Sequence, residues 1–440
     1  MRRSGRRLTL VATVAAVGAA VASCVPAGSP DPWVGFGPNP TLTQPAKSLL
    51  PVVGVPKAVG WPDGAAPVAP AGFTVTRFAR LTHPRWIYVL PNGDVLVAQS
   101  SSEPAKTKGG LRDWIAEKIQ KRANALLPGP NRITLLRDAD GDGVAEVVQV
   151  FAQGLERPTG MALIGDQLYV ANDNAIVRLT YRNGQTQATA PPAKVADLPG
   201  GPINHHWVKN VVASPDGAKL YVSVGSNSNV AENGLEAETG RALVLQMNPD
   251  GSGTRVYASG LRNPVGMDWE PVTGVLWTAV NERDELGNDL VPDYMTGLKD
   301  GAFYGWPFSY YGQHVDARVK PPQPAMVAKA VAPDYALGPH TASLGLAFYK
   351  AQAFPARYQG GVFIGQHGSW NRKPLNGYRV IYVPFAGGRP TGKPEVFLTG
   401  FLNARDQIQG RPVGLAVDKV GALLVADDAG DTVWRVAAKP

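Results

Sequence analysis

One pattern constrains this chain more than any other: a short apolar strand, a tight turn and a second short strand recur six times. The units span residues 83–99, 157–172, 209–225, 262–281, 343–367 and 411–428. The first turns through Pro91, Asn92, Gly93 and Asp94, the third through Ser214, Pro215, Asp216 and Gly217, and valine-rich runs such as 95–98 and 220–223 follow. Glycine and proline supply the positive or fixed φ that tight turns need, and β-branched residues fit a pleated sheet. A further strand usually follows each unit, at 132–136, 175–180, 242–247, 378–383 and 432–436. Repeats at spacings of about 50 to 80 residues describe sheets stacked around an axis. The fold expected over 72–440 is an all-β, six-bladed β-propeller. A sandwich, the main rival, would rarely repeat one turn chemistry six times.

One segment departs from the pattern. Leu111, Trp114, Ile115, Ile119 and Leu126 fall near helical spacing, with Lys118, Lys121 and Arg122 largely elsewhere. They predict a short helical insertion in the first blade, read as a lid on one face rather than a partner-binding helix.

The N-terminus follows another logic. Arg2, Arg3, Arg6 and Arg7 precede an apolar run, Leu8 to Val21, that ends in small residues before Cys24. A charged start, a short apolar run and a small-residue cleavage site make residues 1–24 a signal peptide, too short to be a good membrane span. Its likeness to bacterial lipoprotein signals implies lipid attachment at Cys24, so the expected protein is exported and membrane-anchored, facing the periplasm or cell exterior. Residues 25–71, rich in Pro, Gly, Ala and Ser, read as a tether. Cys24 is the only cysteine, which excludes disulfides, thiolate metal sites and a cysteine nucleophile in the folded domain. The net charge of +8 falls to +4 once the four leader arginines are discounted. No long basic run interleaves with aromatics, so no nucleic-acid partner is expected.

Three groups of residues could carry chemistry. Asp138, Asp140 and Asp142 alternate, Gly143 occupies the sixth position and Glu146 the ninth. Convergent oxygens around a glycine turn suit Ca²⁺, although Gln149 stands where an EF-hand places its last glutamate. A Ca²⁺ staple between strands and a solvated acidic turn both fit, and either role is structural. Next come the histidines, only six in all, of which His206, His340 and His367 fall at strand ends that a propeller gathers about its channel. His205-His206 could supply a general base, metal ligands or plain loop residues. Arg262, Arg372 and Arg411 recur at comparable positions. Such cations would suit a small polyanion, or would pair with acids of neighbouring blades.

Certain motifs are more specific together than apart: His206 with Ser214-Pro215-Asp216-Gly217, Leu261-Arg262-Asn263-Pro264-Val265-Gly266, Asn281-Glu282-Arg283-Asp284, Tyr304-Gly305-Trp306-Pro307 and Gln366-His367-Gly368-Ser369-Trp370-Asn371-Arg372. Through them the chain, over roughly 72–438, resembles the soluble pyrroloquinoline-quinone-dependent sugar dehydrogenases, in particular the L-sorbosone dehydrogenase-like branch. The resemblance implies a quinone at the channel mouth with Ca²⁺ as second cofactor, and oxidation of an aldose or sugar aldehyde to a lactone or acid. His206 becomes the base for the substrate hydroxyl, and Arg262 the cation over the cofactor, with Asn263 beside it. The backbone carbonyls of Glu282 and Arg283 become Ca²⁺ ligands, and His340, His367, Arg372 and Arg411 cofactor-side positions. The electron acceptor is not implied.

There are departures from the glucose-oxidising branch. Ser226 stands where that branch has a carboxylate partner for the histidine, the glutamine it uses near the second unit has no counterpart around 155–157, and an arginine pair is reduced to Arg411. Two other classes stay open. One is a lactonase-type hydrolase holding a divalent ion through Glu282, Asn210 and Asp427. The other is a non-catalytic lipoprotein that binds a glycan or a protein.

Overall fold

The computed structural model describes residues 27–46, 56–102 and 129–439. The leader, Cys24 and the helical insertion expected around 111–126 lie outside the described residues. Six antiparallel sheets of four or five strands form the blades. Their innermost strands are Pro84–Val89, Met161–Ile164, Lys209–Ala213, Pro264–Trp269, Ser343–Phe348 and Pro412–Val417, each leading its own repeat and touching the next around the axis. The six-bladed propeller read from the repeats is the fold observed.

Crowding at the axis explains residue choices that hydrophobicity alone does not. A Cβ on Gly266 would lie 2.5 Å from the Leu344 carbonyl oxygen, and one on Gly414 would lie 2.6 Å from that of Arg85. Glycine lets neighbouring innermost strands approach backbone to backbone. The second strands, such as Val95–Gln99 and Leu220–Val224, are buried along their whole length. They lie between sheets and are covered on both faces, and each fully buried Val or Leu contributes about 2 kcal/mol. Between blades 5 and 6 the core is aromatic, with Tyr349 stacked on Phe354 at 4.5 Å and Phe73 edge-on to Phe354 at 4.8 Å.

Closure uses a strand that the repeats do not reveal. Phe73–Arg80 pairs antiparallel with Thr432–Ala438, from Phe73 opposite Ala438 to Arg80 opposite Thr432, and so completes the sixth blade from the other end of the chain. The segment read as a tether is, where described, laid on the propeller. Phe36–Gly37 adds an edge strand to blade 4, with Phe36 opposite Leu337. The Trp61 indole packs edge-on to Trp434 at 5.2 Å and donates to buried Asp427 at 2.6 Å. No helix of the described residues is long and apolar enough to cross a membrane.

Strand direction sorts the loops. Those leading into the innermost strands and those joining second to third strands share one end of the channel, here the mouth. The hairpins between first and second strands and the 138–146 loop share the other.

Candidate active site

His206 lies half-buried in the loop that leads into the innermost strand of blade 3. Its Nδ1 is 2.9 Å from both the carbonyl oxygen and Oγ of Ser226. Ser226 Oγ spends its own hydrogen on the Ser228 carbonyl at 2.7 Å. Both oxygens therefore accept, Nδ1 carries the proton, and Nε2 keeps its lone pair. Burial, then the positive charge of Arg262, holds the imidazole well below its ordinary pKa, so it is neutral at physiological pH. Where the glucose-oxidising branch has a carboxylate, the serine does the orienting.

Arg262 is held among the mouth loops. It is 1% exposed. Its Nη1 donates to the carbonyl of Glu282 at 2.7 Å and to both oxygens of Asn281 at 3.1 Å, while Nη2 and Nε reach Asn229 at 3.0 and 3.2 Å. The guanidinium braces two mouth loops through bonds made in its own plane. The same contacts bear on the expected Ca²⁺ position. The Glu282 carbonyl already accepts from the guanidinium, so a divalent ion there would have to share or displace that contact. The Arg283 side chain is buried against Asp316, 3.1 Å away. Asn263 keeps a buried amide oxygen with no partner among the described residues.

The remaining predicted positions divide into braces and rim. Arg372 is a brace: it donates to the Asn288 carbonyl at 2.9 Å, the Pro374 carbonyl at 2.5 Å, the Ser29 carbonyl at 3.0 Å and Asp289 at 2.8 Å. It ties the N-terminal segment to blades 4 and 5 through these four bonds. His340 is another. Its Nδ1 lies 3.0 Å from Asp284 and its Nε2 2.8 Å from the Gly287 carbonyl. Burial pulls His340 down, but the Asp284 bond and charge outweigh it, so its pKa rises and it stands as an imidazolium donating at both nitrogens. His367 and Arg411 belong to the rim. His367 Nε2 is 3.0 Å from Asp428, which also binds Arg85. Burial and Arg411 push His367 down to about 4. Arg411 is half-buried; its Nε donates to the His367 carbonyl at 3.3 Å, and its two terminal nitrogens have no partner among the described residues.

Sequence reasoning missed a belt around this rim. Trp207 is buried between Arg85 and Arg157, each guanidinium 5.3 Å from the indole. Arg157 pairs in turn with Asp173 of blade 2. The Arg157-Pro158 dipeptide that opens the second repeat was the available signal, read only as a strand start. Among the described residues the mouth offers a neutral imidazole nitrogen, the unpaired end of Arg411, the amide donor of Asn371 without a partner, and the paired Arg85 and Arg157. A planar anion with carboxylates fits that donor set.

The acids behave differently. Asp138, Asp140, Asp142 and Glu146 bring ligand oxygens within 4.8 Å of one another, at the end of blade 1 away from the mouth. They form the one such cluster among the described residues. The hydrolase candidates do not converge. Asp427 accepts from two indoles and from the backbone N–H groups of Arg411 and Gly430. The Glu282 carboxylate takes the N–H of Arg283, and Asn210 is turned to the Val265 carbonyl.

A family model described as glucose/sorbosone dehydrogenase matches residues 164–369, and one described as TrAA12-like matches 322–439. An uncharacterised protein of Borreliella burgdorferi is 26% identical over 66% of this chain and 78% of its own length. A pyrroloquinoline quinone-dependent pyranose dehydrogenase of Coprinopsis cinerea is 25% identical over 53% of this chain, and the match spans only 39% of that protein. Among solved structures, the holo quinone domain of the Coprinopsis cinerea pyranose dehydrogenase aligns with a TM-score of 0.66 at 20% identity, covering 87% of this chain and 99% of that one. The quinone-bound aldose sugar dehydrogenase of Streptomyces coelicolor aligns at 0.53 and 19% identity, over 84% and 99%. The resemblance read from the sequence therefore holds: this chain is similar over 164–369 to the glucose/sorbosone dehydrogenases and shares the propeller of quinone-dependent sugar dehydrogenases.

Proposed function

We propose that this chain oxidises an aldose or a sugar aldehyde of the L-sorbosone type at the propeller mouth, with pyrroloquinoline quinone as hydride acceptor. The observation that carries the reading is His206: Nδ1 anchored on Ser226, Nε2 free, and the ring neutral. When bound, the quinone supplies an electrophilic carbonyl that accepts the hydride from the substrate C–H. His206 Nε2 takes the hydroxyl proton of the same carbon, so a hemiacetal yields a lactone and a hydrated aldehyde an acid. Arg411 and Asn371 would hold carboxylates of the cofactor by charge and hydrogen bonding. Arg262 fixes the Asn229 and 281–284 loops as walls of the site. Ca²⁺ belongs to the 138–146 loop, as a staple remote from the chemistry. The domain works outside the cytoplasmic membrane, held by lipid at Cys24, and passes its electrons to an acceptor still to be identified.

Titration of the purified protein with the quinone, with and without Ca²⁺, tests the binding step. A spectral change and a raised melting temperature are expected, followed by dye reduction with aldoses or sugar aldehydes. No change on titration would sink the proposal. Binding without turnover on any sugar would favour the non-catalytic binder, and lactone hydrolysis with a divalent ion alone the hydrolase. Metabolic labelling with palmitate tests the anchor: label should enter the wild type and not C24A.

A further inference from the structure

Beneath the loop that carries His205 and His206 lies a lysine that the mechanism has not used. Lys209, in the innermost strand of blade 3, is 0% exposed. All three of its ammonium hydrogens are committed: to Asn204 Oδ1 at 3.3 Å, to the His206 carbonyl at 3.2 Å and to the Trp207 carbonyl at 3.2 Å. Each acceptor belongs to the four-residue turn 204–207. Asn204 sits in the left-handed region at φ 31°. It is held from a second side by Arg241 Nη1 at 3.1 Å, and its own amide donates to Asp173 of blade 2 at 3.3 Å. The His206 backbone is thus pinned at both ends, its N–H on the Ser226 carbonyl at 3.3 Å and its own carbonyl on Lys209.

We propose that Lys209 is the positioning residue for His206, its ammonium clamping the 204–207 turn so that Nε2 points into the mouth. The inference rests on the function proposed above but depends on the clamp alone. A buried ammonium is costly unless every hydrogen is accepted, so it fixes the turn more rigidly than a neutral group would. Deprotonation leaves two hydrogens for three acceptors and turns a lone pair on one carbonyl. Burial, then the nearby Arg241, brings the lysine down to about 7, with Asp173 opposing and Arg157 adding to the fall. The clamp therefore releases as pH rises past neutrality, while His206 is already unprotonated. The charged state is the working one, and activity should fall on the alkaline side.

Two readouts test this. In quinone-loaded protein, K209M should lower kcat about 10- to 100-fold, the cost of a misplaced base, with quinone affinity within about 3-fold of wild type. Its alkaline limb should vanish. D173N, which leaves the clamp bonds in place but removes the acid that supports the ammonium, should move that limb to lower pH. Independently of any activity, ¹⁵N-histidine NMR of the unloaded protein reads the His206 tautomer, its signal assigned with H206Q among the six histidines. Wild type should show the Nδ1–H form at pH 6 and lose that bias as pH rises through the lysine's titration; K209M should lack the bias throughout. If K209M misfolds, D173N and the wild-type pH series still decide. An unchanged tautomer across that series, or wild-type kcat with an intact alkaline limb in K209M, overturns the inference. An inactive loaded wild type would instead refute the sugar oxidation and leave the NMR test standing.

Discussion

The mouth and the 138–146 loop both gather charged residues in turns of one propeller, yet they are built in opposite ways. In the acidic loop each carboxylate bonds backbone N–H groups a few residues away: Asp138 binds Gly141 at 2.7 Å and Gly143 at 2.9 Å, and Glu146 binds Ala139 at 2.7 Å. At the mouth the partners are distant in sequence. His367 meets Asp428 across 61 residues, Arg372 meets Ser29 across 343, and Arg85 joins Asp428 across 343. A loop whose carboxylates bond its own backbone is shaped largely from within and can do little beyond binding an ion. A site drawn from several blades exists only when the ring closes, and it leaves polar atoms such as Arg411's terminal nitrogens and His206 Nε2 unspent.

Breaking each region in turn sharpens this contrast. The largest effect is expected at the mouth: H206A should cut dye-linked sugar oxidation about 1000-fold while quinone binding, followed by absorbance, persists. D140N should leave the same rate unchanged; an equal loss in both variants would erase the distinction. Next comes a long-range hold. W61A removes one of four donors from Asp427, a buried carboxyl that burial has already pushed up to about 6, and opens a gap beside Trp434. Denaturant unfolding should show a loss of about 3 kcal/mol.

A smaller effect concerns the His340–Asp284 pair. His340 is raised in the folded state, so its contribution is full below its unfolded pKa and is lost as pH rises through the folded value. Asp284 is net lowered, burial being outweighed by His340 and Arg262, so its contribution is lost as pH falls through its folded value. The pair therefore stabilises most in mildly acidic solution. H340Q should lose on the order of 1 kcal/mol there and progressively less above neutrality, measured as unfolding free energy against pH. Smallest is the acidic loop. Saturating Ca²⁺ should raise the wild-type melting temperature by about 2 °C and do nothing for the D138N/D140N/D142N triple variant. A rise that survives the triple variant would place the ion elsewhere.

Much of this molecule was legible in the linear sequence because much of it is locally specified. Turn chemistry at Pro91 to Asp94 and at Ser214 to Gly217, and the runs that follow, repeat within each blade, so fold class and blade number could be read directly. The acidic loop could be read the same way. The histidines and arginines at strand ends pointed to the correct end of the channel, because strand direction alone sends them there. Their duties could not be read. Arg262 and Arg372 look like Arg411 in sequence, but the first two are consumed by carbonyls from distant loops.

By itself, then, the sequence determined a six-bladed propeller with its loops sorted to two ends, and a His206 turn at the mouth. Only the tertiary structure decided that Phe73–Arg80 closes the ring, that Trp61 seals the last blade, that Ser226 sets the His206 tautomer and that Lys209 sits beneath it. The physical reason lies in range. Turn and strand preferences act over a few residues and repeat with the chain, whereas a guanidinium or an ammonium takes whichever acceptors the packed blades bring within 3 Å, and those are fixed by the closed ring.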